Sequence, residues 1–251
     1  MAFEKVITSL NIQPQYRTFT NDFLQAVTQL SGNSLDSIYM CGSIPKGQAV
    51  PGKSDADFTL VFNQTPVESL LKQLETLKSD FLSSCSFITK IDTPVCLVSE
   101  VLNNPYDWGF WVKIICICVY GKDLTLNLPE LVPSRDFVLG LNEDTDSVLS
   151  VLISDYDKNP LLPAAVKLAK RLLRGLYSLT MDREEKWEDD RIVQSEITIV
   201  YFPGLEDDIK KLLLVLSGDK KPGDEFRLAS FKLVKFITSR IETERKKIDQ
   251  S

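Results

Sequence analysis

The stretch from Gly42 to Val61 constrains this chain more than any other. It begins with Gly-Ser, continues through a loop of small residues, and ends with Ser54-Asp55-Ala56-Asp57 at the head of the apolar run Phe58–Phe62. Side chains alternate between the faces of a strand, so Asp55 and Asp57 would project on the same side. Paired carboxylates are the hard oxygen ligands that suit Mg²⁺, and a Gly/Ser turn lets backbone N–H groups approach a phosphate. The stretch therefore indicates phosphoryl or nucleotidyl transfer.

Each piece of this stretch has a plainer explanation when it is taken alone. An isolated Asp-x-Asp pair is most often a solvated turn, and a Gly-Ser pair is a weaker signal still. Here, however, the apolar runs Ile38–Cys41 and Phe58–Phe62 flank the loop. The order strand, phosphate-sized loop, strand, with both signals in place, favours a site over two unrelated turns.

Composition limits the function classes. The 251 residues fit one large domain or two modest ones, with 43% hydrophobic and 25% charged residues as in ordinary soluble proteins. No apolar run approaches the roughly 20 residues that span a bilayer, and the N-terminal residues lack the pattern of an export signal, so we expect a cytoplasmic protein without a membrane partner. A net charge of −6 argues against binding a long nucleic acid, while a small phosphorylated ligand remains compatible.

Histidine is absent from the chain, and five cysteines show no Cys-x-x-Cys spacing. These facts remove most zinc sites, the cysteine-protease constellation and the Ser-His-Asp triad. We interpret the cysteines as reduced core residues. Acid–base chemistry must then fall to Asp, Glu, Lys or Tyr.

Apolar periodicity predicts an α/β arrangement in the first half. Steps of three and four residues from Tyr16 to Leu30 predict a helix that ends at Ser31-Gly32, and a second helix is expected after Pro66. The predicted strands are Leu35–Met40, Phe58–Phe62, Phe87–Asp92 and Val95–Val98, with an interruption at Pro94. Phe110–Val119 fits both patterns, and its helical face of Trp and Ile residues favours a helix.

The second half is almost entirely helical in periodicity. A connection containing Pro129 and Pro133 separates the halves, so we predict one domain over 1–128 and a helical domain over 129–251. The predicted helices, each ended by Pro, Gly, Asp or Asn, are Ser134–Ile153, Leu161–Met181, Asp190–Tyr201, Leu205–Leu216 and Glu225–Lys247.

One of these helices carries a basic stripe. Four cations follow the spacing i, i+3, i+4, i+7 and so lie on a single face: Lys167, Lys170, Arg171 and Arg174. Two interpretations stay open. The stripe is either a solvated face, which exposed Lys and Arg form without special cause, or a cradle for a triphosphate.

Together these residues resemble the nucleotidyltransferase superfamily typified by DNA polymerase β, within it the bacterial branch of aminoglycoside and minimal nucleotidyltransferases. The family signature, Gly-Ser followed by a loop and Asp-x-Asp, is matched by Gly42-Ser43, Lys46-Gly47 and Ser54-Asp55-Ala56-Asp57. Lys90-Ile91-Asp92 resembles the later strand that bears a third acid. The resemblance covers the first half well, and the helical half more loosely.

The resemblance implies an α+β fold, in which a small mixed sheet flanked by helices is followed by a helical domain, with substrate lying between the two. It implies that Asp55, Asp57 and Asp92 hold Mg²⁺, with Mn²⁺ as the other candidate. Two such ions about 3.5 to 4 Å apart would stabilise an in-line displacement at the α-phosphorus that releases pyrophosphate. The implied nucleotide contacts come from the loop and the basic stripe: Gly42, Ser43, Lys46, Ser54, Lys170 and Arg174.

The third acid and the acceptor are the open points. Asp92 is the first candidate and is also a candidate base for the acceptor hydroxyl, while Glu100 is the alternative. The expected donor is an NTP, with ATP first, and the acceptor is a small molecule, a protein or an RNA end. A second interpretation keeps the fold for a catalytically weak nucleotide-binding or antitoxin-like protein. Oligomeric state does not follow from the sequence.

Overall fold

The structure, a computed structural model, describes residues 1–248; the last three residues of the predicted helical domain, 249–251, lie outside it. The chain forms two compact units. We call Phe3–Leu131 the sheet unit, and the part that begins at Val132, together with Met1–Ala2, the helical unit. The nucleotidyltransferase role assigned to residues 1–128 remains a proposal.

The sheet unit contains five strands and five α-helices. The strands are β1 Leu35–Cys41, β2 Ala56–Phe62, β3 Ile91–Asp92, β4 Val95–Leu97 and β5 Ile117–Gly121. The helices are α1 Pro14–Ser31, α2 Ser43–Lys46, α3 Glu68–Ser84, α4 Val98–Asn103 and α5 Trp108–Phe110, the last continuing as a π-helical turn over Trp111–Ile115. The predicted first helix, first strand and strand after the Asp-x-Asp motif are thus confirmed.

The sheet is mixed, with the order β3-β2-β1-β5. β1 is antiparallel to β2 and to β5, whereas β3 and β4 are both parallel to β2 and follow one another along its free edge. Together with the helices, this confirms the predicted mixed α+β class.

The side chains of β2 point alternately to the hydrophobic core and to the opposite face, which bears Asp57. Ala56, Phe58, Leu60 and Phe62 pack into the core with the apolar faces of α1 and α3, as the period of two requires. Asp57 and Thr59 therefore face the other way, where Thr59 accepts a hydrogen bond from the Trp111 indole N–H at 3.0 Å. In β2, Asp57 alone is not buried.

One helix assignment and one strand assignment from the sequence are wrong in part. The interpretation of Phe110–Val119 as one helix fails after Ile115, because Ile117–Gly121 is β5 and pairs with β1. The segment Ile117–Gly121 pairs with the edge of β1 that β2 leaves open. This pairing is a tertiary interaction, which the periodicity of the sequence does not reveal. Phe87–Lys90 is not strand, since pairing with β2 begins at Ile91.

The helical unit contains α6 Arg135–Gly140, α7 Thr145–Lys158, α8 Leu162–Ser178, α9 Arg191–Tyr201, α10 Glu206–Leu216 and α11 Asp224–Ile248. Helix α8 is central, since Ala165, Leu168, Leu172 and Leu176 are all buried in a core shared with α7, α10 and α11. The predicted helix Ser134–Ile153 is interrupted between α6 and α7, where the buried Asn142 side chain donates to Val138 O at 2.8 Å and to Ser178 Oγ at 2.7 Å.

The cysteines are free thiols. Four of them, Cys41, Cys85, Cys96 and Cys116, are buried as expected of core residues, whereas Cys118 is half-buried. Burial raises the pKa of the Cys96 thiol, so this group stays in its unreactive form at neutral pH. Among residues 1–248, no helix is both long and apolar enough to cross a membrane.

Candidate active site

Three carboxylates meet at one end of β2. Asp55 and Asp57 are two residues apart and lie on the same side of the chain. Asp92 joins them because β3 runs parallel to β2 with Asp92 as the register partner of Asp57. One carboxylate oxygen from each residue lies within 4.8 Å of the other two, and all three side chains are half-buried. The structure therefore brings together the three acids singled out in the sequence.

Gly42 allows the loop to reach this cluster. It directly follows Cys41, the register partner of Asp57 in β1. Its backbone has φ 80 and ψ −158, a region that only glycine occupies readily. A Cβ at Gly42 would stand 2.7 Å from Asp57 Oδ2. Two features therefore favour glycine at position 42: the backbone dihedral angles and the close approach of the Asp57 carboxylate.

The two loop serines are linked to each other. Ser43 Oγ donates to Ser54 Oγ at 3.1 Å, and Ser54 Oγ also accepts from the Val50 N–H at 2.8 Å. The hydroxyl of Ser54 thus connects two parts of the loop by accepting both hydrogen bonds. Its own proton remains available for donation to another group. Lys46 ends the short helix α2 that Ser43 begins. Two of the residues predicted to contact nucleotide, Ser43 and Ser54, are therefore joined by a hydrogen bond across the loop.

Lys90 is a neighbour of the acids that sequence reasoning missed. Its Nζ lies 2.5 Å from Asp92 Oδ2, with side chains 61% and 38% exposed. A signal was present, because residues 90 and 92 share the spacing i, i+2 that places side chains on one side of an extended chain. Lys90 brings a positive charge to a cluster that otherwise contains three carboxylates.

Glu100, the alternative third acid, has another role. Its Oε2 accepts a hydrogen bond from the Leu97 N–H at 2.7 Å, at the first turn of α4, where backbone N–H groups lack helical partners. It does not belong to the cluster of Asp55, Asp57 and Asp92. The structure therefore favours Asp92 over Glu100.

The two remaining predicted residues, Lys170 and Arg174, lie in the helical unit. Both line a cavity of about 490 Å³ within that unit, together with three further cations that were not predicted as contacts: Lys167, Arg171 and Arg191. Lys167 and Arg171 belong to the stripe already visible in the sequence. Arg191 could not be found from the spacing, because it starts a different helix.

Comparison with known proteins adds a fold likeness. No protein-family model matches the chain, and no curated protein sequence matches it. Among solved structures, the chain is similar to spectinomycin adenyltransferase AAD(9) from Enterococcus faecialis, crystallised with ATP and spectinomycin. The TM-score is 0.56 at 14% identity, over 90% of this chain and 99% of that one. At this identity the likeness establishes the fold, which is the nucleotidyltransferase fold that the sequence motifs led us to expect.

Proposed function

We propose that this protein is a Mg²⁺-dependent nucleotidyltransferase that moves a nucleoside monophosphate from an NTP to an acceptor hydroxyl and releases pyrophosphate. The observation that carries the proposal is the cluster of Asp55, Asp57 and Asp92. The fold likeness to an adenyltransferase crystallised with ATP supports the same reaction class and ATP as the donor.

The cluster fits a small hard cation. Magnesium binds oxygen at about 2.1 Å, so two oxygens on opposite sides of one ion lie about 4.2 Å apart. The ligand oxygens here lie within 4.8 Å of one another, a difference that small side-chain rotations can close. Mn²⁺ also accepts carboxylate ligands and is the second candidate. When bound, such an ion supplies positive charge beside the phosphates and orients them.

The chain's own residues account for the remaining steps. Asp92 accepts the proton of the acceptor hydroxyl. The oxygen of that hydroxyl forms a bond to the α-phosphorus, and the bond between this phosphorus and the pyrophosphate oxygen breaks. Ser54 offers its hydroxyl proton to a phosphate oxygen, and the Ser43 hydroxyl donates in the same way once it turns away from Ser54. Lys46 adds a point charge. Gly42 keeps the backbone of the loop close to Asp57.

Lys170 and Arg174 are proposed as further contacts to the nucleotide phosphates. Both line the cavity of the helical unit. Arginine binds phosphate through a planar fork and lysine through a compact charge. The observation in favour of this role is that they face an open volume shared with other cations, whereas a purely solvated stripe needs no cavity.

The Lys90–Asp92 pair favours a second candidate function, a nucleotide-binding or antitoxin-like protein with weak catalysis. An ammonium group held on Asp92 Oδ2 occupies an oxygen that a metal would need. The pair is exposed, however, and exposed ion pairs contribute only about 0 to 1 kcal/mol. A divalent cation can therefore displace Lys90, and the enzymatic function remains the better supported one.

A transfer assay tests the proposal and identifies the acceptor class. The full chain is incubated with α-labelled ATP, GTP, CTP or UTP and Mg²⁺, against fractionated small molecules, RNA and the protein itself. We expect label transfer to one class only, dependent on Mg²⁺ and abolished in Asp57→Asn. The small-molecule fraction is favoured, since the structural neighbour was crystallised with spectinomycin. Absence of transfer with every nucleotide and acceptor class would support the second candidate.

A further inference from the structure

The short segment that precedes α1 contacts the loop between β1 and β2 around Lys46. The backbone N–H of Asn11 donates to the Pro45 carbonyl at 2.8 Å. A Cβ added at Gly47 would stand 2.6 Å from the Asn11 carbonyl oxygen and 2.9 Å from the nitrogen of its side-chain amide. Asn11 therefore contacts the residues on both sides of Lys46. We call these contacts, of Asn11 with Pro45 and with Gly47, the Asn11 clasp.

Gly47 is the residue that makes this close approach possible. Its backbone has φ 73 and ψ 26, a left-handed conformation with which it caps the C-terminal end of α2, and glycine adopts this conformation without the strain that other residues incur. The obstacle to a Cβ here is a backbone oxygen of Asn11, which the rotation of a side chain cannot remove. The clasp therefore depends on glycine at position 47.

Asn11 is attached to the rigid part of the sheet unit. The next residue, Ile12, packs against the core, and its carbonyl accepts a hydrogen bond from Arg17 Nε at 3.0 Å. Helix α1 begins at Pro14, and its Tyr16 is fully buried. The clasp thus ties the loop to a helix that is itself anchored in the core.

Separate contacts hold the part of the loop that leads to Asp55. The Gly52 N–H donates to the Phe87 carbonyl at 2.9 Å, and Thr89 Oγ1 donates to the Ser54 carbonyl at 3.1 Å. These contacts do not involve Asn11. The clasp can therefore be altered at one end of the loop while the approach to Asp55 keeps its own support.

A fixed backbone at Lys46 favours phosphate binding. The lysine side chain is long and flexible, and its compact ammonium group must be brought to the phosphate. Ordering the backbone of one residue costs conformational entropy. A residue that is already ordered in the free protein does not incur this cost when the ligand binds. Contacts on both sides of Lys46 supply such order.

We propose that Asn11 is a positioning residue of the nucleotide site and that it acts through Lys46. The clasp fixes the backbone from which the Lys46 side chain departs, so that the ammonium group reaches the phosphates of the NTP. This inference rests on the proposed function, because it takes Lys46 as a phosphate contact. Alteration of the clasp should therefore weaken nucleotide binding.

Isothermal titration calorimetry of the full chain with α,β-methylene-ATP and Mg²⁺ tests the inference without any transfer. Gly47→Ala is compared with Gly52→Ala, because Gly52 has nearly the same φ, of 72, and nothing lies within 4 Å of a Cβ added there. We expect about five- to thirtyfold weaker binding in Gly47→Ala, as for the ordering of one backbone residue, and unchanged binding in Gly52→Ala. Equal affinity in the two variants would overturn the inference and leave the proposed function standing, whereas no binding to wild type would overturn both.

A double-mutant cycle with Lys46→Met separates positioning from a general loss of structure. Lys46→Met alone should weaken binding about tenfold or more. In that background, Gly47→Ala should weaken binding by less than about twofold further, because residues that act through one group are not additive. Full additivity, or an unchanged affinity in Lys46→Met, would contradict the role of Asn11.

Asn11→Ala gives a second route to the same result if Gly47→Ala does not fold. It removes the amide that packs against Gly47 and keeps both glycines, and Asn11 is exposed. Gln15→Ala, at an exposed position of α1, is the control. We expect about two- to fivefold weaker binding of α,β-methylene-ATP in Asn11→Ala and no change in Gln15→Ala. Equal binding by these two variants would count against the inference.

Discussion

Asp57 and Asp92 are register partners on neighbouring parallel strands, although 35 positions separate them in the chain. Parallel register partners project on the same side, so the pairing of β2 with β3 brings the third acid to the first two. Only two residues of β3 take part, and Asp92 is the last of them. The proposed metal site thus depends on one short non-local pairing.

Exchange of Asp92 for Asn should reduce nucleotide transfer by about 100-fold or more, because a positioned base contributes about 10² to 10⁴ in rate. Glu100→Ala should change the rate only a few-fold and lower the stability by about 0.5 to 2 kcal/mol, as loss of a helix cap does. Transfer rates and urea unfolding of both variants distinguish these roles. The reverse pattern would make Glu100 the third acid.

Gly42→Ala should disrupt the site through the Asp57 carboxylate. Gly52→Ala is the matched control, because Gly52 also has a positive φ, of 72, but nothing lies within 4 Å of a Cβ added there. Both variants should lose about 1 to 3 kcal/mol from backbone strain, while only Gly42→Ala should also lose Mg²⁺-dependent transfer. Equal activity in the two folded variants would mean that the contact with Asp57 is unimportant.

Lys90→Met should raise the affinity of the acid cluster for Mg²⁺ a few-fold, since it removes a competing cation. The free energy of unfolding should change by less than about 1 kcal/mol, because the ion pair is exposed. Lys72→Met is the control; it removes a lysine paired with Glu68 at 2.7 Å, in the same unit but outside the cluster. Mg²⁺ titrations of the transfer rate measure the effect. An affinity that falls in Lys90→Met would assign Lys90 a supporting role.

Tyr39→Phe should destabilise the sheet unit without altering its site. The fully buried Tyr39 hydroxyl accepts from the Leu124 N–H at 2.8 Å and donates to Asp123 at 3.3 Å. Its removal leaves a buried N–H unsatisfied, at a cost of about 1 to 3 kcal/mol. Tyr120→Phe, at an exposed position, should cost less than about 0.5 kcal/mol. Urea denaturation of both variants measures the difference.

The Tyr39 effect should not depend on pH in the neutral range. Burial raises the pKa of the Tyr39 phenol above its ordinary value of 10.0. Below that ordinary value the folded and unfolded states both keep the proton, so the two states bind equal numbers of protons and the contribution is constant. The difference between wild type and Tyr39→Phe should therefore be the same at about pH 6 and pH 9. A difference that changes within this range would indicate titration of another group.

The local parts of the fold were visible in the sequence. Helix α1, strand β1 and strand β2 each satisfy their own periodicity and end at turn residues, so no distant partner is needed to recognise them. The spacing of Asp55 and Asp57 likewise predicts a shared side. Strand β5 was missed because pairing with β1, rather than the apolar pattern of Phe110–Val119, decides its conformation.

The non-local parts of the candidate site could not be predicted in full. The third acid was chosen by resemblance, while its closeness to Asp57 follows from a register that no local pattern encodes. The role of Gly42 beside Asp57 Oδ2 and the contribution of Arg191 to the cavity of the helical unit are also tertiary. By contrast, the spacing of Lys90 and Asp92 contained a usable signal.

We propose that Asp55, Asp57 and Asp92 hold a divalent cation for a nucleotide. The most direct measurement is the unfolding free energy of wild type and Asp57→Asn with ATP, in the presence and absence of Mg²⁺. At a ligand concentration 100 times the dissociation constant, we expect about 2.7 kcal/mol of added stability in wild type with Mg²⁺, and little or no Mg²⁺-dependent gain in the variant. An equal Mg²⁺-dependent gain in both proteins would contradict the account.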